Sequence, residues 1–130
     1  MSAAPTSSDL SAERSPSGRN LSGRKSALAL KQTAERWSLS KAQTGRLFGI
    51  SRQAVDEWYA KGVPPARVAD VLRTADLADA LHKRFLPDRL PQIVREAMPG
   101  LGNTSIIETI ERHGTVAVFE MLDRAFGYTP

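Results

Sequence analysis

The side chains of this 130-residue chain offer little to catalysis. Its two histidines, His82 and His113, fall on separate predicted helices without a nearby serine nucleophile or carboxylates at metal-ligand spacing. There is no cysteine, which excludes disulfides, thiol nucleophiles and cysteine metal ligands, and no Gly-rich phosphate loop follows a strand pattern. No catalytic residue, metal or cofactor is expected, and the chain does not read as an enzyme. The denser chemistry lies in SRQAVDEWYAK, where Arg52, Gln53, Asp56 and Glu57 take exposed positions of one predicted helix. Arginine can grip guanine and glutamine adenine, each bidentately, while a carboxylate such as Glu57 can accept from a cytosine amino group.

The elements that must position these groups are helical throughout, giving an all-α expectation. Residues 1–22, rich in Ser, Ala, Pro and Gly, have no spacing that buries a face and read as a disordered leader. Ala27, Leu30 and Ala34 then repeat at helical spacing, and Trp37 closes that helix. Ser40 and Gln43 form a capping box that starts a second helix, and Gly49 ends it. Ser51 caps the third helix, with Val55 and Trp58 facing inward. Between the two, a small residue at Gly45 permits close approach, Gly49 supplies a positive φ and Ile50 plugs the gap beneath.

After the break Gly62-Val63-Pro64-Pro65, Val68, Val71, Leu72, Ala75, Ala78, Leu81 and Phe85 mark one face of a long helix. Pro91 is placed to open a short helix through Ile93, Val94 and Met98. Ser105 and Glu108 form another capping box, Gly114 closes that helix, and Thr115 is placed to cap a last one. Its stripe of Val116, Phe119, Leu122 and Phe126 is either core or a homodimer seam. The expected organisation is a leader over 1–22, a helix-turn-helix unit over 23–62 and a helical carboxy-terminal unit over 63–130.

Charge is unevenly distributed. Residues 1–62 carry ten Lys and Arg against five Asp and Glu, a balance of +5, whereas residues 63–130 carry eight against nine, a balance of −1. A basic first half raises affinity for nucleic acid through phosphate contacts and counterion release. No apolar run approaches the ~18 to 20 residues that span a bilayer, and the amino terminus has no apolar core like a secretory signal. No membrane partner is expected, and the location expected is cytoplasmic.

From Leu39 to Trp58 the chain resembles the helix-turn-helix of Xre-type DNA-binding proteins. Leu39, Ser40, Gly45, Gly49, Ile50, Ser51, Val55 and Trp58 occupy the family's pattern positions, and Thr44 stands where the family prefers leucine. The resemblance implies that the third helix enters the major groove of double-stranded operator or promoter DNA. It also implies that Arg52 and Gln53, at the amino end, lead the base contacts. Lys41 sits where a helix amino terminus favours a phosphate oxygen, and Arg46 and Lys61 add charge nearby. The DNA-contact candidates are Lys41, Arg46, Ser51, Arg52, Gln53, Asp56, Glu57 and Lys61.

Over residues 27–126 the order of helix-turn-helix, Pro-rich break, long helix with Leu77-Ala78-Asp79-Ala80-Leu81, and unit from Pro99-Gly100-Leu101-Gly102 to Leu122 is similar to the MbcA/ParS/Xre antitoxins. That resemblance implies an autoregulating repressor whose carboxy-terminal unit binds a RES-domain toxin. Two other roles stay open. One is a stand-alone regulator, such as a temperate phage immunity repressor, whose carboxy-terminal helices self-associate or extend DNA contact. The other is a protein-interaction module that never meets DNA.

Overall fold

The structure, a computed structural model, describes residues 17–127, with side chains from residue 21 onward. Among the described residues the fold is all-α, as expected. The helices are α1 (Ser17–Arg36), α2 (Lys41–Phe48), α3 (Arg52–Lys61), α4 (Val68–Arg84), α5 (Leu90–Ile93), α6 (Ile106–His113) and α7 (Val116–Phe126). Short 3-10 turns at Pro65–Arg67, Pro87–Arg89 and Pro99–Leu101 each open on a proline, whose fixed φ suits a first turn and whose missing N–H forfeits no bond there.

Helix α1 begins at Ser17, earlier than the leader boundary expected at residue 22; residues 1–16 of that leader lie outside the described residues. Just past that boundary the helix is tethered to the segment after α3, where the Val63 N–H donates to the Gly23 carbonyl at 3.0 Å, and the Ser26 hydroxyl donates within the helix to the Ser22 carbonyl at 2.8 Å. Ala27, Leu30, Ala34 and Trp37 are buried along one face. The helix ends in a Schellman motif, with Leu39 N–H to the Ala34 carbonyl at 2.8 Å, Ser38 N–H to the Glu35 carbonyl at 3.2 Å, and Ser38 left-handed at φ +53°. Arg95 closes the same end by donating to the Trp37 and Ser38 carbonyls at 2.7 and 2.9 Å.

Helix α1 packs along α4, and that contact rotates the buried face of α4. Val71, Thr74, Leu77, Ala78, Ala80 and Leu81 are buried, whereas Leu72, expected on the inner face, is 41% exposed. The short helix opened near Pro91 stops at Ile93 rather than running to Met98. Met98 is extended and forms an isolated antiparallel bridge with Thr104, which closes the Pro99–Leu101 turn. The Ser105/Glu108 capping box forms, but Thr115 has helical backbone and makes no side-chain cap on α7. In α7 the inner face is Val118, Met121 and Leu122, so of the expected stripe Leu122 is core while Val116 and Phe126 are 61% and 43% exposed.

The larger hydrophobic cluster joins Trp37 and Leu47 to Leu77, Leu81, Leu90, Val94, Ile106, Ile110, Val118 and Leu122, drawing on both sides of residue 62. A smaller one holds Ala27, Leu30, Trp58, Val63 and Val71 beneath α3. Helices α2 and α3 thus rest on a scaffold supplied by α1, α4 and α6.

Candidate nucleic-acid interface

The mount for α3 starts at the capping box of α2. Gln43 N–H donates to the Ser40 hydroxyl at 3.1 Å while the Gln43 side chain accepts from Ser40 N–H at 2.8 Å, which satisfies two otherwise orphaned donors. At the other end Ile50 N–H reaches the Gly45 carbonyl at 2.9 Å and Gly49 sits left-handed at φ +67°. A Cβ on Gly45 would stand 2.5 Å from the Ile50 carbonyl oxygen, closer than side-chain carbons approach, so only glycine lets the turn fold back on α2. Ser51 then accepts from Ala54 N–H at 3.1 Å and opens α3. The caps and the turn glycine fall where sequence places them.

Helix α3 is two-faced. Val55 and Trp58 are buried, and Arg52, Gln53, Asp56 and Glu57 are exposed on the opposite side. Phe48 packs against Trp58 with ring centroids 5.8 Å apart. The Arg67 guanidinium lies 5.6 Å from the Trp58 ring and donates to the Phe48 carbonyl. One side chain thereby caps the end of α2 and covers the anchor of α3. No local pattern signals Arg67, because its partners are remote in sequence.

Thr44 is buried, its hydroxyl donating to the Ser40 carbonyl at 2.9 Å. Burial pushes the Tyr59 phenol above its ordinary value of 10.0; a hydrogen bond with Thr44 opposes that rise, and the Glu35 and Asp56 carboxylates add to it.

The candidate contact residues are not all gathered on one face. Lys41 Nζ lies 2.5 Å from Asp56 Oδ1, each about half exposed, so the amino end of α2 is clipped to the middle of the α3 outer face. Arg46 is five residues on from Lys41, about 140° round the α2 axis at ~3.6 residues per turn. It faces α6 instead, with its Nε 3.9 Å from Glu111 Oε2. Ser51 is engaged as a cap, and Lys61 is exposed at the carboxy end of α3. His82 and His113 are exposed on α4 and α6, and among the described residues no group of His, Asp and Glu could hold a metal ion. No helix of the described residues is long and apolar enough to cross a membrane.

Comparison with protein-family models, with curated proteins and with solved structures found no match to this chain.

Proposed function

We propose that the protein is a sequence-specific DNA-binding transcriptional repressor that reads bases with the exposed face of α3. The observation that carries this reading is the presentation of Arg52, Gln53, Asp56 and Glu57 together, outward, on a helix whose other face is locked by Val55 and Trp58. A ten-residue helix fits the major groove, which is about 12 Å wide and displays a distinct donor and acceptor pattern for each base pair. In this reading Arg52 and Gln53 at the helix tip contact base edges, Glu57 accepts from a cytosine amino group, and Lys41 exchanges its bond to Asp56 for one to a phosphate. Titration of labelled upstream duplex against scrambled duplex tests it. Salt-dependent preference for the upstream sequence is expected, and equal, salt-independent affinities for the two would overturn it.

The resemblance to the MbcA/ParS/Xre antitoxins extends the proposal to autoregulation and to a RES-domain toxin held by the carboxy-terminal half. Co-expression with a RES-domain toxin encoded beside it checks this part. Stable co-purification is expected, and a chain that binds upstream DNA but no such toxin is a stand-alone regulator.

A further inference from the structure

The outer face of α3 is poor in positive charge for a DNA reader. Lys41, Arg52 and Lys61 stand against Asp56 and Glu57, and Lys41 is already paired with Asp56. Phosphate binding scales with the number of backbone charges neutralised, so tight association needs cations from elsewhere in the molecule.

They stand at the carboxy end of α3. There the backbones of α1 and α3 touch: a Cβ on Gly62 would lie 3.2 Å from the Gly23 carbonyl carbon, and one on Gly23 2.6 Å from the Val63 carbonyl oxygen. Arg24, which follows Gly23, and Lys61, which precedes Gly62, are both exposed at this end of the two helices. Further along α1, Lys31 Nζ lies 5.8 Å from the centre of the Tyr59 ring. Between the helices runs an open cleft of about 330 Å³ lined by Arg24, Leu28, Lys31, Tyr59 and Ala60 among others, with no carboxylate in its lining. Among the described residues Arg24, Lys25 and Lys61 make no ion pair.

We propose that this α1–α3 cleft is a phosphate-binding surface for duplex DNA, gripping the strand that borders the major groove at the carboxy end of α3. The inference rests on the DNA-reading proposal and adds a second contact surface to it. The dimensions agree: Arg52 and Lys61 lie at opposite ends of α3, which is about 15 Å long at ~1.5 Å per residue, while the major groove is about 12 Å across. With the Arg52 end against bases, the Lys61 end reaches the rim of the groove, where phosphates lie. Arg24 and Lys31 of α1 line the cleft at that rim, and the exposed Leu28 offers apolar contact to deoxyribose.

The test is a titration of labelled upstream duplex between about 50 and 200 mM salt with the full chain and with an Arg24→Gln/Lys31→Gln variant, which removes the two cations that line the cleft. Both positions are exposed, and unchanged helicity verifies folding. With two phosphate contacts gone, the slope of log affinity against log salt is expected to fall by about 1.8, so the affinity lost across that range shrinks roughly tenfold. The ranking of single-base variants of the site stays as in the parent chain. An Arg24→Lys/Lys31→Arg variant keeps the parent slope. Parent-like salt dependence in the folded Gln variant, with sequence preference intact, overturns the cleft and leaves base reading by α3 standing. A parent chain with no preference for upstream DNA overturns both.

Discussion

Lys41 and Asp56 constrain each other at the residue scale. Their 2.5 Å contact is half exposed and contributes at most about 1 kcal/mol to stability, but it neutralises one of the two carboxylates on the outer face of α3. On the proposed reading, Lys41→Ala removes a phosphate contact and bares Asp56. It is expected to weaken binding to all sequences alike and to lower the salt slope by roughly one unit in an anisotropy titration. Arg46 faces Glu111, so Arg46→Ala is expected to leave DNA affinity near the parent value. Gln53→Ala, at an exposed position that holds up no core, is expected to cost about 1 to 3 kcal/mol at the preferred site and to relax preference at a single base pair. Tyr59 adds a pH dependence. Its phenol is raised in the folded chain, so the neutral form is favoured there; the associated stability is full below the ordinary value of 10.0 and is lost as pH rises through the folded value. Tyr59→Phe is expected to reduce the alkaline loss of melting temperature above about pH 10 and to leave the neutral-pH curve's shape unchanged.

At the scale of elements, two glycines do different work in one turn. Gly49 has open space around its Cα but a φ of +67°, so Gly49→Ala carries only the left-handed penalty of about 1 kcal/mol. Gly45 is helical, yet its added methyl would strike the Ile50 carbonyl, and Gly45→Ala is expected to cost about 1 to 3 kcal/mol or more by forcing α2 and the turn apart. Chemical denaturation of the two variants separates them. Both positions were legible in sequence because caps and tight turns are local: Ser40, Gln43, Gly49 and Ser51 determine their own geometry within a few residues. What was not legible depends on remote partners. The tether on α1 at Gly23 comes from Val63, the inner face of α4 from the packing of α1, and the cap at the end of α2 from Arg67. The same reason separates Arg46 from Lys41, since nothing within α2 announces that Glu111 of α6 stands opposite.

At the scale of the whole molecule, Trp37 and Leu47 lie in one cluster with α4, α6 and α7, so the surface that carries α3 leans on the carboxy-terminal half. Unfolding is expected as a single cooperative transition, with circular dichroism and tryptophan fluorescence coincident; two separated transitions would show that the halves fold independently. Trp58→Ala is expected to cost ~3 to 5 kcal/mol, because the indole fills the smaller cluster and also seats Arg67. Base reading by α3 is tested most directly by titrating the full chain and Arg52→Ala, at one fixed salt concentration, against the upstream duplex and each of its single-base variants. If α3 is the reader, the full chain discriminates among these duplexes, and Arg52→Ala loses about 1 to 3 kcal/mol of that discrimination at one base pair while keeping its helicity. A folded Arg52→Ala protein that discriminates as well as the parent at every position would contradict the account.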